Sequence, residues 1–113
     1  MKIKKLVLVS MCLFAVEGAM AQASQLKSRL LKIMDKGIMV GHQDDPEYGT
    51  TWKWDLGKSD VLLTTGDYPA VMGFDLGKIE LDSKENLDGV PFDRMRQEII
   101  AQYKRGGIVT FCR

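Results

Sequence analysis

The side chains in this sequence that could do chemistry gather in two places. His42, Asp44 and Asp45 follow the apolar run Ile38 to Val40, and Asp75 follows the apolar run Ala70 to Phe74. Between them lies a long polar stretch, Gln43 to Lys58, that carries Tyr48, Trp52, Trp54 and Asp55. A histidine or carboxylate at the end of a buried strand can hold a polar ligand, and an indole ring can offer it a flat apolar face while the polar edge stays hydrated. His42, Asp75, Trp52 and Trp54 are therefore the candidate ligand-binding residues. Each also has a plainer reading: His42 as a histidine orienting its own loop, Asp75 as a partner for a nearby amide, and the tryptophans as a cover over the core. One histidine and no Cys-x-x-Cys give no reason to expect a metal site. No glycine-rich phosphate loop is present either, so no cofactor is expected.

The elements that would position these residues are legible in the hydrophobic pattern. In Thr64 to Gly77, Gly66-Asp67 opens a turn, Pro69 fixes the entry, and Ala70 to Phe74 make an apolar run too short for a helix. That predicts a strand buried on both faces, as in parallel sheets covered by helices, where ligand chemistry collects at the carboxyl ends. Upstream, Ser24 is a candidate N-cap for a helix through Leu26, Leu30, Ile33 and Met34 that Gly37 stops. Ile38 to Val40 then predict a first strand with His42 at its carboxyl end. Ser59 and Gly66 bracket a short helix, while Asp67 belongs to a structural turn. Pro91 opens a helix whose expected apolar face is Phe92, Met95, Ile99 and Tyr103, and Ile108 to Cys112 form a third strand. Cys112 is expected as a buried core thiol.

Helix and strand thus alternate three times, the repeat of an α/β parallel sheet with crossover helices. Three strands do not complete such a fold. An eight-stranded barrel takes about 250 residues, and doubly wound sheets have about five or six strands. The expectation is the front part of a larger protein.

Residues 1–21 are set apart from that fold. Lys2, Lys4 and Lys5, the apolar stretch Leu6 to Val16, and Ala19-Met20-Ala21 have the order of a secretory signal peptide cleaved after Ala21. A membrane span needs roughly 20 apolar residues, and Glu17-Gly18 interrupts this one first. A lipoprotein is not expected, because the bulky Met11 precedes Cys12. The product would be secreted or periplasmic, with Cys112 its only cysteine and no internal disulfide. A formal net charge of +1 gives no footprint for nucleic acid or a membrane surface.

Three blocks then carry a resemblance: GHQDDPEYG at Gly41 to Gly49, SDV followed by TGDYPAVMGFDLG within Ser59 to Gly77, and NLDGVPFDRMRQEIIAQYKRGGIVTFC at Asn86 to Cys112. In this order they resemble the N-terminal part of glycoside hydrolase family 26, mainly β-mannanases. The resemblance implies that residues 22–113 are about three β/α units of a (β/α)8 TIM barrel. It also implies retaining hydrolysis of β-1,4-linked mannan. In that family the acid/base and the nucleophile are glutamates after the fourth and seventh strands, so neither catalytic residue is expected in this chain. Relatives continue after the third strand with Trp-His and Asn-Pro, whereas Arg113 stands where the Trp would fall. An inactive truncated product is implied; a non-catalytic carbohydrate-binding fragment or a remnant is the alternative.

The chemistry of glycoside hydrolysis agrees. A retaining enzyme needs two carboxyl groups about 5–5.5 Å apart on opposite sides of the scissile bond, one with a raised pKa. Asp44 and Asp45 are neighbours in a loop, and nothing in their spacing sets up that geometry. They are expected to stabilise the loop.

Overall fold

In the computed structural model, which describes residues 24–113, residues 24–34 are helical and form α1. The expected signal peptide lies outside the described residues. Ser24 is inside α1 rather than capping it, and Gly37 closes the end as its N–H bonds to the Ile33 carbonyl at 3.1 Å. Leu26, Leu30 and Met34 are exposed. The chain divides into two units after Ile38, and α1 belongs to the first.

The second unit contains β1 (Gly41–Gln43), α2 (Asp60–Thr65), β2 (Val71–Asp75), a 3-10 turn (Ile79–Leu81), α3 (Phe92–Lys104) and β3 (Ile108–Cys112). The strands form a parallel sheet in the order β1-β2-β3, so each neighbour is reached by a crossover through α2 or α3. Short α2 exists because both ends are capped. The Ser59 side chain accepts from the Leu62 N–H, and Gly66 takes the left-handed conformation (φ 85) that ends the turn. Among the described residues no helix is long and apolar enough to cross a membrane.

Side chains alternate along each strand, and the register turns that alternation into two faces. His42, Met72 and Val109 share one row; Gln43, Gly73 and Thr110 share the next. Met72 and Phe74 point to the first face, fully buried with Val90 of the connection and Met95 of α3. Burial of each such side chain contributes about 1.5–3 kcal/mol. The second face carries Gln43, Asp75, Thr110 and Cys112. At its centre Gly73 leaves space: an added Cβ would collide with Gln43 Oε1 and lie 3.3 Å from Thr110 Oγ1. Gln43 uses that space to cross β2, placing its Nε2 3.2 Å from Cys112 Sγ.

Three sequence expectations are corrected. The first strand begins at Gly41, not Ile38, because pairing starts where Gly41 lets Val71 approach, and Ile38 and Val40 are exposed. His42 therefore sits inside the strand, on the face that α3 covers. Helix α3 buries a different stripe from the one its apolar residues suggest. Arg94, Met95, Glu98 and Gln102 are buried, Phe92 and Ile99 are partly buried, and Tyr103 is 76% exposed. Cys112 is exposed, not a core thiol.

The shifted stripe has a direct test. Met95→Ala should destabilise the fold by about 2–5 kcal/mol, as truncation in a packed core does, while Tyr103→Ala should stay within about 0.5 kcal/mol. Urea denaturation of both variants measures this; equal losses would contradict the assignment.

Candidate functional site

The carboxyl ends of the three strands are held by side chains that close back onto backbone. Asp44, in the left-handed conformation at φ 50, turns the chain out of β1. Its N–H donates to the Gly73 carbonyl at 2.8 Å, and its Oδ1 accepts from the Asp75 N–H at 3.1 Å. One aspartate thus joins the ends of β1 and β2, a position that Asp tolerates better than most residues. Burial raises its pKa above the ordinary carboxylate value, partly offset by that Asp75 amide.

Asp75 ends β2 as the sequence suggests, and its Oδ1 accepts from the Gly77 N–H at 2.8 Å. Its carbonyl accepts from Asn86 Nδ2, while Asn86 Oδ1 accepts from the N–H groups of Asp88 and Val90. Asn86 is fully buried and fixes the connection from β2 to α3. Asp45 is buried as well, with Oδ1 2.7 Å from Nδ1 of the half-exposed His42. This pair orients the start of the loop after β1. Asp67 accepts from the Tyr68 N–H at 2.8 Å, consistent with a turn residue.

The two tryptophans differ. Trp52 is buried, and its Nε1–H donates to Asp60 Oδ1 at 2.8 Å. That bond, with the Thr50 amide on Oδ2, holds the Asp60 carboxyl below its ordinary pKa. Trp54 is 46% exposed, with φ 60. It borders a hollow that Tyr48, Lys53 and Asp88 complete. The Tyr48 phenol pKa is raised, first by burial and then by Asp44, Asp88 and Asp75.

The loop after β1 is anchored by a buried cluster that the sequence reading did not find. Arg94 NH1 donates to Glu47 Oε2 at 3.1 Å, and NH2 donates to the Pro46 carbonyl at 2.9 Å and lies 3.6 Å from Glu98 Oε1. Glu98 Oε1 also accepts from the Gly57 N–H at 2.8 Å. Both ends of the loop are thereby tied to α3. Glu47 is fully buried, and burial pushes its pKa up to about 7, outweighing the lowering by Arg94; Glu98 and Asp44 add to the rise. The one sequence signal was the four-residue spacing of Arg94 and Glu98, which places them on the same side of a helix.

Among the described residues no group of three or more His, Cys, Asp or Glu side chains is arranged to hold a metal ion. At the strand ends Asp44 and Asp75 each engage a backbone amide and Asp45 engages His42 through one oxygen, its buried Oδ2 having no partner among the described residues. Through these contacts the carboxylates hold the loops that follow the strands.

Among solved structures, the chain is similar to a GH26 β-mannanase from Bacteroides ovatus. The identity is 50%, over 71% of this chain and 23% of that one, with a TM-score of 0.68. The chain thus spans under a quarter of that protein's length. No family model and no curated protein sequence matches it.

The buried cluster makes stability depend on pH. Because Glu47 has a folded value of about 7, above its ordinary 4.5, the folded state holds the proton more tightly than the unfolded chain does. Its contribution is largest below the unfolded value and is lost as pH rises toward 7, by at most about 3 kcal/mol. Urea midpoints should fall between pH 5 and 7, and Glu47→Gln should flatten that fall; an unchanged slope would refute the assignment. Arg94→Met, which leaves both carboxylates buried without a cation, should cost about 3–5 kcal/mol.

Proposed function

We propose, on the premise that the chain is a homologue of glycoside hydrolase family 26 over its matched part, that it is the leading part of an exported, β-mannanase-like glycosidase. The observation that carries this reading is the 50% identity across 71% of the chain with a TM-score of 0.68, and the parallel β1-β2-β3 sheet agrees with it. The substrate would be β-1,4-mannan or a related polysaccharide. Residues 22–113 would supply the first three β/α units of a (β/α)8 barrel, with the Gln43, Asp75 and Thr110 face turned inward. Residues 1–21 would direct export to the periplasm or beyond.

In this reading the three units position sugar and do not cleave it. Asp75 stands at a strand end on the inward face, where barrel enzymes place their sites, and Trp54 offers an exposed ring. His42 and Trp52 act one step back. His42 is directed toward the helix-covered face and holds the loop through Asp45, and Trp52 braces the loop on Asp60. The acid/base and nucleophile would be glutamates on later strands. A second reading, a carbohydrate-binding fragment without catalysis, draws on the 23% coverage of the similar enzyme.

Reducing-end release from mannan separates these readings. The 113-residue chain alone should give none, and the chain extended through any coding sequence after Arg113 should give activity. Hydrolysis by the short chain would overturn the proposal and direct attention to Asp44, Asp45 and Asp75. An inactive extended chain that still binds mannan would favour the second reading.

A further inference from the structure

The formal net charge of +1 hides a separation of charge along the chain. Residues 24–38 carry Lys27, Arg29, Lys32 and Lys36 against Asp35 alone, whereas residues 39–113 carry more acidic than basic side chains. The basic stretch is the one that holds α1, in the first of the two units. It is also rich in open apolar surface: Leu26, Leu30, Leu31 and Met34 are between 39% and 72% exposed.

Helical spacing sorts these residues. At about 3.6 residues per turn, Leu26, Leu30, Ile33 and Met34 fall on one stripe. Lys27 borders the stripe on one side, Arg29 borders it on the other with Lys32 further round, and Lys36 follows in the turn that closes the helix. An isolated helix shorter than about 12–15 residues is marginal in water, and helices gain most of their stability by packing an apolar face. The stripe of α1 therefore calls for a cover, and the cations beside it select which. A lysine can lay its stem along apolar surface while its ammonium reaches outward to an anion. A cover with apolar depth under the stripe and anionic oxygens along both margins is the boundary of an anionic lipid leaflet.

We propose that α1 lies along an anionic lipid surface, with Leu26, Leu30, Ile33 and Met34 at the acyl boundary and Lys27, Lys32 and Lys36 on the headgroup phosphates. The helix would tether without spanning, since a span takes roughly 20 apolar residues. This inference is independent of the glycosidase reading, because it uses no residue of the three-stranded sheet or of the loops around it.

The test is flotation of the full chain with vesicles of phosphatidylglycerol and phosphatidylcholine in equal parts, beside vesicles of phosphatidylcholine alone. The wild type should float with the anionic vesicles, and high salt should release it by screening the attraction. Replacing Lys27→Gln, Lys32→Gln and Lys36→Gln together should lower that affinity by roughly a hundredfold, as three cations near an anionic surface imply. Leu30→Asp, which keeps every cation, should lose binding as well. Residues 1–21 are the same in all these forms, so differences between them belong to α1. Met34→Trp reports from the helix itself: its emission, read as the difference from wild type, should shift to the blue with anionic vesicles and not with neutral ones. Equal binding to both kinds of vesicle, binding that survives both sets of substitutions, or an unshifted reporter would each overturn the proposal. A lowered thermal midpoint or altered oligomeric state in Leu30→Asp, without any response of the wild type to vesicles, would assign the stripe to protein packing and overturn it too.

Discussion

A single guanidinium organises the upper part of this molecule. Arg94 projects from the first turn of α3 into a space closed to water, between Glu47 of the loop and Glu98 one turn further along its own helix. Its planar fork also reaches the Pro46 carbonyl, and through Glu98 the network extends to the Gly57 amide. A flexible ammonium would not link these groups in one plane. Burial pushes the Glu47 pKa up, and the nearby Glu98 and Asp44 carboxylates add to the rise against the lowering by Arg94. Ion clusters of this kind contribute less to stability than their contacts suggest. What this one supplies is position: sixteen-odd residues of irregular chain, far longer than an ordinary connection, are held at both ends to a helix.

The rest of the carboxyl-end face follows a similar rule, with side chains completing the backbone where the ladder stops. Asp44 extends the β1–β2 pairing by one bond from its amide and one to its carboxylate. Asn86 does the same for the connection to α3, serving Asp75, Asp88 and Val90 at once. Buried polar groups are tolerable when they are satisfied in this way, and each bond fixes a loop that would otherwise move. Gly73 contributes by absence. Any side chain there would displace Gln43, the residue that bridges across β2 to Cys112.

Much of the fold was legible because it rests on local signals. Ser59 and Gly66 bracket α2, Ala70 to Phe74 anticipated β2 to within a residue, and the run Ile108 to Cys112 is β3 itself. The first strand was misplaced because Ile38 to Val40 look more strand-like than Gly41 to Gln43. Pairing was decided by the close approach at Gly41, a contact with a residue thirty positions away. The buried face of α3 was misread for a related reason. Hydrophobic periodicity marks residues that can be buried without partners, and Arg94, Glu98 and Gln102 are buried because partners on other elements meet them. Of the candidate residues, Asp75 is where the pattern put it, whereas His42 pairs with Met72 inside β1 and so lies on the opposite face from Gln43 and Asp75.

The pair Trp52 and Trp54 shows how a loop can assign different work to two identical residues. Two positions apart in an extended segment, their rings would lie on the same side, and both would compete for one buried surface. The bridge at Lys53 keeps the segment extended up to that point, and Trp52 takes the buried side with its indole N–H on Asp60. The left-handed turn at Trp54 then breaks the alternation and sends the second ring outward. Such a turn costs an aromatic residue of order 1–2 kcal/mol, which glycine at the same position would avoid. The backbone bond from Trp54 to Glu47 ties that strain to the buried cluster, so the anchoring of the loop by Arg94 and the outward display of Trp54 are parts of one arrangement.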